Sequence, residues 1–105
     1  MSETKQLLDA MLARFDGAAA GDLEAVFQYH IAEGGDYYLQ VADQQCQLCD
    51  GEHAEPSVSL SLDQQTLSEI LSGATDGMQA FMAGRVKADG NIMLATRLAD
   101  LFPLA

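Results

Sequence analysis

The sequence predicts an α+β domain in which helices pack on one face of a five-stranded sheet, in the order α-β-β-β-β-α-α-β-α. Three observations predict this fold class. A 3.6-residue apolar period opens the chain, a two-residue period runs through its middle, and the helical period returns in the last third around one more strand-like run. A chain of 105 residues buries a core without a disulfide or metal, so we expect one domain over residues 1–105.

The first element is predicted to be a helix that Ser2 caps and Gly17 ends. Its apolar face consists of Leu7, Leu8, Met11, Leu12 and Phe15. Residues 18–22 then form a connector.

The middle of the chain predicts four short strands, which we expect to form an antiparallel meander. The first two are alternating runs at residues 27–31 and 37–41, with Gln28 and His30 on the outward side. A weaker run spans residues 45–49. Residues 57–62 show the clearest alternation. In this last run the serines face water and the apolar positions face the core. The core positions are Val58, Leu60 and Leu62.

Two short helices are predicted next. Asp63 is placed to cap the first and Gly73 to close it, while Asp76 is placed to cap the second and Gly84 to end it. Residues three and four apart share one face of a helix. That face of the second helix consists of Met78, Phe81 and Met82.

A fifth strand is predicted over residues 85–89, followed by a last helix that Asn91 caps and Pro103 stops. The apolar stripe of this helix consists of Leu94, Ala95, Leu98, Leu101 and Phe102. Met93 falls outside the stripe. The helix therefore needs a second apolar neighbour, which is another helix, a partner chain or a ligand.

The net charge of −11 is concentrated in residues 15–84, which hold twelve acids and no Lys or Arg. Such a surface repels nucleic acid phosphates and anionic lipid head groups, so we expect no nucleic-acid partner and at most transient membrane contact. The simpler interpretation is that the charge keeps a small domain soluble. Because neither a signal peptide, a peroxisomal address nor a membrane-length apolar run is recognisable, a cytoplasmic protein is expected.

Cys46 and Cys49 form a C-x-x-C pattern that His53 follows. The pattern is typical of metal and redox sites, but a structural zinc needs four ligands and no second C-x-x-C exists. On one strand, residues three apart point to opposite faces. We therefore expect two reduced cysteines, no metal and no cofactor.

Catalytic motifs are also lacking, since the sequence has no nucleophile elbow, P-loop or dinucleotide fingerprint. The acidic turn at residues 50–53 is best explained by local turn chemistry, and His30 is expected to be exposed. The chain is accordingly predicted not to be an enzyme. Arg85 and Lys87 lie on an outer face, where they either meet a lipid head group or offset nearby carboxylates.

Residues 77–95 read Gly-Met-Gln-Ala-Phe-Met-Ala-Gly-Arg-Val-Lys-Ala-Asp-Gly-Asn-Ile-Met-Leu-Ala and resemble the C-terminal signature of the sterol carrier protein 2 family. That signature has an Ala-Phe-Met-like helix, a Gly-Lys-hydrophobic strand, and a Gly-Asp or Gly-Asn that opens the last helix. Residues 63–73 and 27–41 are similar to the family's preceding helix and first hairpin. Arg85 stands where the family often has Lys.

The resemblance implies a five-stranded sheet with helices on one face, and an apolar tunnel between them that holds a sterol, acyl chain or similar lipid. The tunnel residues it implies are Met78, Phe81, Met82, Leu94, Leu98, Leu101 and Phe102. The function it implies is non-catalytic binding or transfer of a sterol-like, acyl or isoprenoid lipid.

Other interpretations stay open on the sequence. On periodicity alone the Met78–Met82 face is typical of core. One alternative is therefore an accessory or interaction domain with a closed cavity, which presents a substrate to a partner protein or stabilises that partner. A further alternative is a small enzyme that uses Cys46, Cys49 or the acidic turns.

Overall fold

A computed structural model describes residues 3–75 and 77–102 of the chain. Within them the helices are α1 (Glu3–Leu12), α2 (Gly17–Ala20), α3 (Gln64–Ser72), α4 (Gly77–Met82), α5 (Ile92–Ala95) and α6 (Leu98–Leu101). The strands are β1 (Ala25–Ala32), β2 (Gly35–Ala42), β3 (Gln45–Asp50), β4 (Val58–Asp63) and β5 (Lys87–Gly90). The predicted α+β order is confirmed, with α2 added and the last helix divided in two. The expected roles of Ser2, Asp76 and Pro103 lie outside the described residues.

The five strands form one mixed sheet in the order β3-β2-β1-β4-β5. β1, β2 and β3 pair antiparallel, as expected. The predicted four-strand meander is wrong at its last step, because β4 lies parallel to β1, with Tyr29 opposite Leu60. Residues 51–57 carry the chain from β3 to the other side of β1, and Ser57 Oγ accepts a hydrogen bond of 3.0 Å from the Val26 amide there. β1 thereby becomes the central strand.

The core lies between the sheet and the helices on one of its faces. Phe27, Tyr29 and Ile31 of β1 pack there beside Leu39 of β2, and all four are buried. The helices contribute Leu8, Met11, Ala20, Leu67 and Leu101 to the same buried cluster, and Phe102 joins it just after α6. Val58, Leu60 and Leu62 of β4 are buried as predicted. Among the described residues, no helix has the length and apolar character needed to cross a membrane.

Gly17 begins a helix instead of ending one, which corrects the prediction for this region. α1 ends at Leu12, and Asp16 caps α2 by accepting hydrogen bonds from the Ala18 and Ala19 amides. A Cβ at residue 17 would lie 2.5 Å from the Gln44 carbonyl oxygen. The glycine is therefore required for a close backbone approach.

The predicted ends of α3 are confirmed. Asp63 Oδ1 accepts a hydrogen bond of 2.6 Å from the Thr66 amide, and Gly73 adopts a left-handed conformation with φ of 84°. Asn91 occupies the position before α5 but makes no side-chain capping bond. The last helix is interrupted at Thr96, whose hydroxyl donates to the Met93 carbonyl at 2.7 Å. This side-chain hydrogen bond tightens the backbone there, as does the i→i−3 hydrogen bond from the Arg97 backbone N–H to the Leu94 carbonyl.

Candidate functional site

A cavity of about 580 Å³ lies between the sheet and the helices that follow β4. The sheet supplies one wall, which consists of Tyr29, Leu60, Leu62 and Ala88. The opposite wall is helical, and its α3 and α4 residues are Leu67, Ile70, Leu71, Gly77, Met78 and Phe81. The remaining lining residues are Met11, Val86, Ile92, Ala95, Thr96, Leu98 and Phe102.

The cavity has a buried inner end and an exposed mouth. At the inner end Tyr29, Leu60 and Leu67 are each less than 5% exposed, at 3%, 4% and 3%. Met78 and Ile92 line the same cavity but are 51% and 47% exposed. The mouth therefore opens between α4 and α5.

The lining is almost wholly apolar. It contains no Asp, Glu, Lys, Arg or His within the described part of the chain. Two of the lining residues carry hydroxyl groups: Thr96, which already donates to the Met93 carbonyl, and Tyr29, whose hydroxyl oxygen is buried. Burial raises the pKa of the Tyr29 phenol, with a smaller contribution from nearby Cys46, so this group stays protonated. The cavity offers surface for hydrocarbon and few polar contacts.

Four of the seven predicted tunnel residues lie in the wall, namely Met78, Phe81, Leu98 and Phe102. The other three lie elsewhere in this structure. Met82 ends α4 and is 81% exposed, Leu101 is fully buried in the core, and Leu94 packs against the core in a half-buried position. Whether any of the seven contacts a ligand stays a prediction.

Sequence reasoning missed the contribution of the sheet and of α3 to this wall. The alternation in β4 identified Leu60 and Leu62 as inward, and helical spacing identified Leu67 and Ile70 as the inner face of α3. Periodicity reports which side of an element is buried. It carries no signal for whether the opposing layer touches that side or stands away from it.

The outer face of the sheet holds a second polar arrangement. Gln28, predicted to point outward, does so but is only 1% exposed, because the loop of residues 51–57 covers it. Its Nε2 donates to the Tyr37 and Gly51 carbonyls at 3.0 Å each, and its Oε1 accepts from the His53 amide at 2.8 Å. The loop is thus anchored on β1.

Beside this loop, His30 lies close to two carboxylates. Its Nδ1 is 2.8 Å from Asp36 Oδ1 and 3.9 Å from Glu52 Oε1. The three ligand atoms lie within 4.8 Å of one another, a spacing that a metal ion could bridge. Both acids are exposed, and such groups commonly surround a histidine without any ion.

Cys46 and Cys49 are free thiols, as predicted. Cys46 pairs with inward-facing Val41 and Cys49 with outward-facing Tyr38, so the two sulfurs leave β3 on opposite faces. Burial, and secondarily Cys49, raises the pKa of Cys46 to about 12. The C-x-x-C pattern therefore does not converge on one ion.

Arg85 is engaged by an acid, which favours one of the two alternatives for this residue. Its guanidinium donates to both carboxylate oxygens of Glu69 at 3.1 Å. This pair lowers the pKa of Glu69 and raises that of Arg85. Arg85 thus offsets a neighbouring carboxylate.

The chain is an α+β domain with an apolar cavity, and comparison with known sequences gives its family. The profile of the SCP-2 sterol transfer family matches residues 5–103, so the chain belongs to that family. Membership supports binding or transfer of a lipid at the general level, and such domains are typically non-catalytic carriers.

Three known proteins show the range of contexts in which similar chains occur. Peroxisomal multifunctional enzyme type 2 of Mus musculus is 30% identical over 79 residues, which cover 70% of this chain and 11% of that enzyme. The stereoselective inverting sec-alkylsulfatase Pisa1 from Pseudomonas sp. matches at 19% identity and a TM-score of 0.78, over 88% of this chain and 15% of the sulfatase. The palmitated SCP2L2 from Aedes aegypti matches at 21% identity and a TM-score of 0.72, over 98% of this chain and 96% of that protein.

Proposed function

We propose that this chain binds one apolar lipid, of acyl, isoprenoid or sterol-like type, in the cavity between the sheet and the C-terminal helices, and that it does so without catalysis. The observation that carries the proposal is the wall itself, which encloses about 580 Å³ without a charged side chain among the described residues. This volume falls within the range of roughly 300–1,000 Å³ typical of small-molecule sites.

The mechanism is transfer of hydrocarbon from water to the cavity. Each 100 Å² of apolar ligand surface removed from water contributes roughly 2.5 kcal/mol, before the cost of immobilising the ligand. Met78 and Phe81 on the helical wall have the flexible or broad side chains that adapt to different hydrocarbons. A long acyl chain is supported as one occupant by the palmitated Aedes aegypti protein, whose fold this chain shares.

A second candidate is an accessory domain that holds a lipid for a partner protein. Two of the similar proteins favour this candidate because they are enzymes. The matching region makes up only 11% of the peroxisomal multifunctional enzyme and 15% of the sulfatase. Met82 and Met93, 81% and 75% exposed, belong to the two helices that border the mouth. An enzyme domain or partner protein would find apolar surface where the ligand enters.

The proposal is tested by titrating delipidated protein with a fluorescent long-chain acyl probe. We expect saturable binding of about one probe per chain, reversed by unlabelled lipid. Absence of saturable binding to acyl, isoprenoid and sterol probes alike would refute the proposal.

A matched pair of substitutions locates the site. Ala95 lines the cavity, whereas Ala83 is exposed just beyond α4. We expect Ala95→Trp to lower probe affinity at least tenfold, about 1.4 kcal/mol, because the indole occupies ligand space. Ala83→Trp should change affinity less than twofold. Equal effects of the two changes would place the bound probe outside this cavity.

A transfer assay separates the two roles. A carrier should move the probe between donor and acceptor vesicles of zwitterionic lipid. An accessory domain should bind the same probe without accelerating its transfer.

A further inference from the structure

The exposed apolar surface of the domain is concentrated at the mouth of the cavity. Within the described part of the chain, every large hydrophobic side chain that is exposed belongs to α4 or α5. These side chains form a rim that consists of Met78, Met82, Ile92 and Met93. Met78 and Ile92 also line the cavity, and Met82 lies one helical turn from Met78 on the same side of α4. A surface that covers the rim therefore also covers the entrance to the cavity.

The rim lies outside the acidic part of the chain. Neither α4 nor α5 contains an Asp, Glu, Lys or Arg. Residues 77–105 hold three basic and two acidic side chains, a formal charge of +1, so residues 1–76 carry −12 of the net −11. Two of the three basic side chains are engaged, since Arg85 is held by Glu69 and Arg97 donates to a backbone carbonyl. The rim thus presents hydrocarbon on two uncharged helices of an otherwise acidic molecule.

The small size of the rim decides between its possible occupants. A standard protein interface uses roughly 20–30 residues and about 800 Å² on each side. The rim offers four large side chains on helices of six and four residues, which falls well short of that size. A bilayer needs no matching surface, because its interface is fluid and its affinity scales with the apolar area that enters it. A bilayer therefore suits the rim better than a partner protein or a second copy of this chain.

We propose that the rim docks on the surface of a zwitterionic phospholipid bilayer, with its side chains among the head groups and the mouth of the cavity facing the acyl chains. An anionic bilayer is disfavoured, because the chain carries −11 and no cation belongs to the rim. This inference rests on the proposed function, since it names the surface from which the cavity is filled.

A single introduced tryptophan tests where the protein docks, because the chain contains no Trp of its own. Met82→Trp places the reporter on the rim. Gln40→Trp places it at an exposed position of β2, on the sheet face opposite the cavity. With phosphatidylcholine vesicles, the emission of Met82→Trp should shift to shorter wavelength and be quenched by lipids brominated in the acyl chain. That of Gln40→Trp should not change. Absence of the shift in Met82→Trp, or the same shift in both variants, would overturn the docking surface.

A second set of variants tests whether the native side chains carry the docking. Met82→Gln combined with Met93→Gln keeps side-chain length and charge and removes apolar surface that does not line the cavity. Sedimentation with phosphatidylcholine vesicles should show association at least roughly fivefold weaker than for the wild type. Gln40→Met adds the same side chain on the sheet and should leave association unchanged. Adding phosphatidylserine should not strengthen wild-type association, and a rise that salt abolishes would assign docking to basic side chains instead.

The outcomes separate this inference from the proposed function. If the wild type binds the acyl probe in solution but not the vesicles, or if the double variant docks as well as the wild type, the inference is wrong while lipid binding stands. The rim is then left for a partner protein. If the vesicles bind through the rim but no probe enters the cavity, the proposed function fails while the docking surface holds.

Discussion

At the scale of single residues, Gln28 shows how a polar side chain becomes part of the framework. It lies on the outer face of β1, and its amide uses both donor hydrogens and its oxygen on the backbone of Tyr37, Gly51 and His53. Buried amides of this kind are costly to disrupt because each former partner is left in a dry environment. Gln28 therefore fixes the path of the loop that precedes β4.

We expect Gln28→Leu to lower the free energy of unfolding by roughly 2–3 kcal/mol, because it leaves loop backbone groups without partners. Gln40 on β2 is exposed and gives a matched control. Gln40→Leu should change stability by no more than about 0.5 kcal/mol. Urea unfolding monitored by circular dichroism measures both variants. Similar midpoints for the two would show that the anchor contributes little.

The two cysteines differ in expected reactivity. The pKa of Cys46 is raised to about 12 by burial and by Cys49, so its thiolate is scarce at neutral pH. In Cys49→Ser, the remaining Cys46 should react with iodoacetamide at least roughly tenfold more slowly than a thiol in the urea-unfolded chain, whose pKa is about 8.5. Mass spectrometry of timed samples gives the rates. Equal rates in the folded and unfolded chain would contradict the burial assigned to Cys46.

At the scale of elements, α3 was predictable because its ends are set by local contacts. Asp63 and Gly73 act within three residues of their own positions, so their types alone indicated a start and a stop. Asn91 gave the same signal without making the capping bond. The backbone N–H of Asn91 instead donates to the Ser57 carbonyl at 2.9 Å. This contact joins residues far apart in the chain, so the local sequence does not encode it.

The cap of α3 has a consequence for acid stability. The bond from Thr66 lowers the pKa of Asp63, so the folded state favours the carboxylate. A carboxyl group whose pKa is lower in the folded than in the unfolded state stabilises the fold at pH values above its unfolded-state pKa. That stabilisation is lost as the pH falls through the folded-state pKa. Glu69, whose pKa Arg85 lowers, acts in the same direction.

We expect Asp63→Asn to retain the cap but to lose this pH dependence, because asparagine caps well and does not titrate in this range. Between neutral pH and about pH 3, the urea midpoint should fall less for Asp63→Asn than for the wild type. Urea unfolding at a series of pH values measures the difference. Parallel curves would mean that the Asp63 carboxylate is not linked to folding.

At the scale of the whole molecule, the sequence predicted the number and order of the strands and the antiparallel pairing of the first three, but not the parallel pairing of β1 with β4. β1 and β2 are joined by a short turn and pair as neighbours, which turn residues and alternation indicate. The parallel contact of β1 with β4 depends on the path of residues 51–57 over the outer face. That path depends on Gln28, whose burial was not evident from its alternating position.

The division between core and cavity was also beyond the sequence. Val58, Leu60 and Leu62 alternate alike and are all buried, yet only the last two line the cavity. The difference is decided by where α3, α4 and α5 stand relative to the sheet. Such spacing results from packing of many side chains at once.

Ligand binding should stabilise the entire domain, since sheet and helices share the cavity wall. At a free probe concentration of 100 times Kd, the expected gain is about 2.7 kcal/mol, provided the unfolded chain does not bind. Urea midpoints with and without probe measure the gain. With an affinity at least tenfold lower, Ala95→Trp should gain no more than about 1.4 kcal/mol at the same probe concentration, and a full shift would contradict the assigned site.

The central position of β1 also bears on synthesis of the chain. A nascent chain that has just completed β3 already contains both hairpins, but β1 has no neighbour on its second side until β4 emerges. Its unpaired amides and carbonyls then form an open edge onto which a strand from another molecule can add. Truncation after residue 50 should accordingly yield aggregating protein, whereas chains extended through residue 63 can close that edge from within.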